Sequence, residues 1–152
     1  MSATGRVKLF DQDSPGISGA PEMEDYFASS LAAGDFDGDG TDDLVVGMRS
    51  EELNSATGGV ITKGALWIDQ DTDKVPGVIA ASDHFGWTVG ALDTDGNGRV
   101  EPLVGAPGNA AGTVTVLKVK PGTLESATAL AEADLGFAAG SDGDAFGAAL
   151  PH

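Results

Sequence analysis

The sequence predicts an all-β chain made of repeated four-stranded antiparallel units, and three observations carry that prediction. The 152 residues include 23 glycines, about double the usual share of roughly 7%, so tight turns are frequent. Short Val/Leu/Ile segments recur between the turns, with no long run at helical period. The chain also repeats itself. Placing Phe27 on Phe85 without gaps aligns Ala33 with Ala91, Asp35 with Asp93, Asp37 with Asp95, Gly38 with Gly96, Gly40 with Gly98, Val46 with Val104 and Gly47 with Gly105. The offset is 58 residues, and a third start, Phe146-Gly147-Ala148-Ala149-Leu150, follows 61 residues after Phe85. A fixed period of that length marks a repeat architecture.

Within each unit, alternating small and apolar residues (31–36 and 89–92) lead into an Asp/Gly-rich loop. Leu44-Val45-Val46 or Leu103-Val104 then follows, which reads as a hairpin. A third strand is expected at Gly64-Ala65-Leu66-Trp67-Ile68 and at Gly112-Thr113-Val114-Thr115-Val116-Leu117, and a fourth at Val75 to Ala80. The counterpart of that fourth strand, Thr128 to Ala133, reads equally as a short helical turn. Gly5-Arg6-Val7-Lys8-Leu9-Phe10 resembles the third strand of a preceding unit.

Four short antiparallel strands per repeat make a β-propeller blade, which buries its faces against its neighbours. The expected array has residues 1–26 ending one blade, 27–84 and 85–145 forming two complete repeats, and 146–152 opening a truncated third. Closed rings need about four to eight blades, so one chain gives an incomplete ring. The expectation is a piece of a longer protein, an assembly of several copies, or an open array with exposed edges that invite pairing. A fragment, with self-association as one way to complete it, is favoured.

Composition narrows the partners. There are 24 acidic and 8 basic residues, giving a formal charge of −16. A nucleic-acid partner is excluded, because the phosphate backbone demands a basic patch and none exists here. Acidic excess suits a solvated or cation-binding surface. No cysteine is present, which removes disulfides and thiolate metal sites. No stretch approaches membrane-spanning length, and residues 1–8 do not read as a signal peptide.

Two loops carry the chemistry. The first reads Asp35-Phe36-Asp37-Gly38-Asp39-Gly40-Thr41-Asp42-Asp43, and the second Asp93-Thr94-Asp95-Gly96-Asn97-Gly98-Arg99-Val100-Glu101. Oxygen-bearing side chains stand at positions 1, 3, 5 and 9: Asp35, Asp37, Asp39 and Asp43 in one loop, Asp93, Asp95, Asn97 and Glu101 in the other. Position 7, Thr41 or Arg99, is suited to offer its backbone carbonyl. This is the donor set of a calcium site, since Ca²⁺ takes six to eight oxygens at roughly 2.3–2.6 Å. Gly40 and Gly98 permit the sharp turn. Asp-Gly pairs alone often make plain hairpin turns, but clustered carboxylates repel unless a cation sits among them or protons are taken up. An EF-hand begins in the same way, yet it requires a bidentate Glu at position 12, where Val46 and Val104 stand inside apolar strand-like runs. Two Ca²⁺ sites on β-hairpins are therefore expected.

Phe85-Gly86 opening one repeat, Gly105-Ala106-Pro107 after its second strand, and Phe146-Gly147 opening the next resemble the FG-GAP repeat of integrin α-subunit propellers. The resemblance spans residues 5–150. The first unit has Phe27-Ala28 for Phe-Gly and Gly47-Met48-Arg49 for Gly-Ala-Pro. The resemblance implies a propeller of about seven blades, calcium in the first hairpin of a blade, and an extracellular or cell-surface role in adhesion or recognition. No catalytic constellation stands out: His84 and His152 are the only histidines, and His84 reads as a surface loop residue. Trp67 and Trp87 read as blade packing rather than ligand platforms. Asp142 and Asp144, in a Gly/Ala/Asp-rich connection, lack the other ligands of the template. The leading expectation is a calcium-stabilised module that binds a protein or a glycan. The alternatives are an accessory or catalytic propeller of a polysaccharide-active enzyme, and a self-assembling structural oligomer.

Overall fold

A computed structural model describes residues 9–15, 17, 21, 23, 25–53, 56–62, 66–79, 82–109, 112–136 and 145–150. Eight strands form two antiparallel four-stranded meanders, with order β1-β2-β3-β4 and β5-β6-β7-β8. The first comprises β1 (Phe27–Gly34), β2 (Asp43–Leu53), β3 (Ala56–Thr62) and β4 (Leu66–Ile68). The second comprises β5 (Thr88–Leu92), β6 (Glu101–Ala106), β7 (Thr113–Lys120) and β8 (Thr123–Leu130). Each sheet is thus a four-stranded propeller blade, and the two do not close into a ring.

The two hairpins that carry the acidic loops stand where expected. Gly34 pairs with Asp43, and Leu92 with Glu101, so each loop joins the first two strands of a blade, and Val46 and Val104 lie inside β2 and β6. The outer strands differ from expectation. In the first blade the third strand is Ala56–Thr62, and Leu66–Ile68 is the fourth. Only Val60 and Ile61 mark β3 as apolar; its pairing with β2, from Val46↔Ile61 to Leu53↔Ala56, makes it a strand. Residues 75–79 form a loop, with Val75 packed against the core. In the second blade the fourth strand begins earlier, at Thr123, and the helical turn falls just after it, as a 3₁₀ turn at Glu132–Leu135. Lys120 pairs with Thr123 across Pro121-Gly122, with Gly122 at φ +71°; proline then glycine suits a tight turn that needs a left-handed second residue.

Residues 1–8, Gly64, Ala65, Ala80, 137–144 and 151–152 lie outside the described residues. They include most of the expected upstream strand, the start of the expected Gly64 strand, and the Gly/Ala/Asp-rich connection. Leu9 and Phe10 are not in a strand.

One apolar core runs across both blades. It gathers Ala32, Val45 and Ile68 from the first with Val89, Val104, Ala106, Leu117, Val119 and Leu124 from the second, together with Phe36 and Phe85. β1 packs beside β5, and the seam is tied by the Val89 N–H donating to Ser30 Oγ at 3.0 Å.

Backbone meets backbone at the seams, which is why glycine stands there. A side-chain carbon on Gly47 would run into the Gly86 carbonyl oxygen, and one on Gly105 into the Gly147 carbonyl oxygen and the Thr88 hydroxyl. Gly86 and Gly147 are themselves left-handed, at φ +87° and +82°. Ala28 holds the position of Gly86 in the first repeat and is also left-handed, at φ +60°, inside the register shift between Phe27 and Ser30. An alanine in that region costs about 1–2 kcal/mol, while glycine restores about 0.4–1 kcal/mol of unfolded-chain freedom. Ala28→Gly is therefore expected to raise stability by about 0.5–1 kcal/mol, read as a higher urea midpoint at unchanged slope.

Candidate metal centre

Both acidic loops are wound by the same internal hydrogen bonds. In the first, Asp35 Oδ1 accepts from the Gly38 N–H at 2.9 Å and Oδ2 from the Gly40 N–H at 2.9 Å. Asp37 Oδ1 accepts from the Asp39 N–H at 3.0 Å, and Asp39 Oδ1 from the Thr41 N–H at 2.9 Å. The second loop repeats this set. Asp93 accepts from the N–H groups of Gly96 (2.7 Å) and Gly98 (2.8 Å), Asp95 from that of Asn97 (3.1 Å), and the Asn97 side-chain oxygen from that of Arg99 (2.8 Å). Such turns suit Asp and Asn, whose short side chains reach their own backbone two or three residues on. The glycines of both loops are left-handed: Gly38, Gly40, Gly96 and Gly98, at φ +80°, +84°, +75° and +88°. The residue patterns D-x-D-G-D-G and D-x-D-G-N-G thus place a left-handed glycine after the acid or amide at the third and fifth positions.

The winding brings carboxylates together. Asp35, Asp37 and Asp39 each offer an oxygen within 4.8 Å of the others, and so do Asp93, Asp95 and Glu101. Asp43, the ninth residue of the first loop, is not in the first group. Its Oδ2 accepts from the Phe36 N–H at 3.2 Å, and it helps fix that loop by holding the residue whose ring is 2% exposed in the core. Thr41 and Arg99 enter through their N–H groups, as above. The Arg99 side chain reaches the neighbouring loop, lying beside Gly38.

Glu101 shows best what the second loop can do. It is 1% exposed. Its Oε2 accepts from the Thr94 N–H at 2.9 Å and from the Thr94 hydroxyl at 2.6 Å, while Oε1 is buried with no hydrogen-bond partner among the described residues. A buried carboxylate oxygen without a partner is costly, and this one belongs to a side chain that joins two other carboxylates. An all-oxygen group of net negative charge with an unsatisfied buried oxygen fits a hard divalent cation. On the outer side, Lys118 of β7 donates to Asp95 Oδ2 at 2.6 Å. That bond holds the Asp95 carboxyl below the usual carboxylate range and raises Lys118 above the usual lysine value. The attraction is therefore present between those two limits, and is lost as pH falls through the lowered value of Asp95 or rises through the raised value of Lys118. Neither the burial of Glu101 nor the reach of Lys118 was found in the sequence; both need the β6–β7 pairing.

Three other singled-out residues, Trp67, His84 and Trp87, make contacts within the chain. Trp67 Nε1 donates to Asp69 Oδ2 at 2.8 Å. His84 is half-buried, with Nδ1 3.1 Å from the Arg49 carbonyl oxygen, and its ring is tilted on Trp87 at 5.4 Å between centroids. The Arg49 guanidinium lies between the rings of Tyr26 (3.9 Å) and Trp87 (4.7 Å).

Residues 27–51, which span β1, the first acidic loop and most of β2, match the family model described as FG-GAP repeat. That segment of the chain carries an FG-GAP repeat. The chain is 32% identical over 100 residues to integrin alpha-8 of Gallus gallus, covering 66% of this chain and 9% of that protein. It is 36% identical over 89 residues to integrin alpha-5 of Xenopus laevis, covering 55% of this chain and 8% of that protein. The chain thus spans under a tenth of the length of these curated relatives. The seam glycines give the FG-GAP motif a physical reading: the carbonyl of the Phe-Gly glycine of one repeat rests on the glycine that opens Gly-Ala-Pro, or Gly-Met-Arg, in the repeat before. Among the described residues, no helix is long and apolar enough to cross a membrane.

Proposed function

We propose that this chain is a calcium-stabilised, non-catalytic interaction module of an extracellular or cell-surface protein. One Ca²⁺ would be held by Asp35, Asp37, Asp39 and Asp43 with the Thr41 carbonyl, and a second by Asp93, Asp95, Asn97 and Glu101 with the Arg99 carbonyl. The observation that carries this reading is Glu101 Oε1, buried without a partner in a side chain whose carboxylate groups with Asp93 and Asp95. Bound ions would supply the positive charge that lets these carboxylates converge, and so lock each β1–β2-type hairpin to its blade. The partner, a protein or a glycan, would engage the loops at the opposite end of the blades. The integrin alpha relatives support the adhesion-type setting.

Calorimetric titration with CaCl₂ tests the metal assignment. The wild-type chain is expected to show two binding events at roughly 0.1–1 mM, the range of extracellular modules. Asp37→Ala is expected to lose one of them and keep the other. Two undiminished events in that variant, or none in the wild type, would refute the ligand set.

A further inference from the structure

We infer that Lys118 is a tethered counter-cation that sets the affinity of the second loop, holding Asp95 when no metal is bound and weakening calcium binding there. This rests on the calcium reading above and adds to it a residue from outside the loop, on the third strand of the blade.

The case is geometric. Lys118 lies 23 residues beyond Asp95, and β6–β7 pairing brings it back over the loop, with Nζ 2.6 Å from Asp95 Oδ2. Asp95 Oδ1 is already taken by the Asn97 N–H, so both oxygens of the third-position carboxylate are engaged within the protein. Asp95 also belongs to the group that includes Glu101, whose Oε1 has no partner. A divalent ion entering that group meets one of two costs. If Lys118 stays on Asp95, it repels the ion at short range; if it swings away, the ion pair is lost. Either way calcium binds less tightly than to the same loop without the ammonium. The lysine in turn offsets part of the carboxylate repulsion while the loop is empty. The side chains are 40% and 35% exposed, so solvent and salt screen the interaction. The expected change is accordingly modest, about three- to tenfold in affinity.

Lys118→Met keeps the length and apolar stem of the side chain and removes its charge. Combined with Asp37→Ala, which leaves only the second-loop event, it is expected to tighten calcium binding about three- to tenfold, with the gain shrinking as NaCl rises. Lys118→Arg is expected to keep the weaker affinity. In chelator, Lys118→Met is expected to melt below the wild type, and in saturating calcium the two should converge. If Asp37→Ala prevents folding, Lys118→Met alone serves, with one of two events tightened and the other unchanged. Calcium binding at an unaltered or weakened affinity in Lys118→Met would overturn the inference while leaving the metal assignment standing. Absence of binding in every protein, wild type included, would instead sink the assignment itself.

Discussion

Gly105→Val is expected to unfold most of the second blade, with a loss of more than about 3 kcal/mol, the range of severe core overpacking. Gly105 sits in the middle of the blade, paired with Thr88 on one side and Val114 on the other. The space above its α-carbon is filled by the Gly147 carbonyl oxygen and the Thr88 hydroxyl, which are bonded to each other at 2.6 Å. A flexible side-chain end could yield to a new methyl group; a backbone carbonyl fixed in a turn cannot do so without dislodging the following repeat. Gly122 supplies the control. It is left-handed, at φ +71°, but nothing among the described residues lies within 4 Å of the place a side chain would take. Gly122→Ala should therefore cost only the conformational strain, about 1–2 kcal/mol. Thermal melts followed by circular dichroism separate the two. If Gly105→Val melted within a few degrees of the wild type, the reading of the FG-GAP glycines as close-contact seams would be wrong.

Calcium is expected to raise the melting temperature by about 10–20 °C, and chelation to return it. A ligand that binds only the folded state at a hundred times its Kd stabilises by about 2.7 kcal/mol per site, so two sites give about 5 kcal/mol. In a chain of this size each kcal/mol moves the midpoint by about 2–4 °C. Glu101→Gln sharpens the test because Glu101 is the most deeply buried of the proposed ligands. The amide oxygen can still accept from Thr94, while the buried charge is gone. Without calcium this variant is expected to be at least as stable as the wild type; with calcium it should gain only about half as much. Scanning calorimetry in chelator and in excess CaCl₂ gives all four numbers. Equal melting temperatures of the wild type in both buffers would mean that the loops are plain turns.

The first hairpin of each blade could be read from the chain because its information is local. A residue set of fixed spacing, D-x-D-G-D-G or D-x-D-G-N-G, closes its own turns through side-chain bonds to backbone two to five residues away, and Val46 at position 12 excludes an EF-hand without any knowledge of the fold. The outer strands were harder. β3 is specified by its partner β2 rather than by its own composition, since Ala56, Thr57, Gly58 and Gly59 have weak strand preference. The start of β8 at Thr123 was available in Pro121-Gly122, a turn pair between two segments that alternate. Contacts between distant residues could not be read at all. Glu101 appears in the sequence as the ninth position of a loop, but its burial depends on β6 being covered along its whole length, and the Lys118–Asp95 bond depends on a strand register.

The central claim, that the two acidic loops hold calcium, is tested most directly by an anomalous difference map from crystals grown in millimolar CaCl₂. The account predicts one peak in each loop, roughly 2.3–2.6 Å from carboxylate oxygens of Asp35, Asp37 and Asp39 in the first and of Asp93, Asp95 and Glu101 in the second. Well-ordered loops without anomalous density at either position would contradict it.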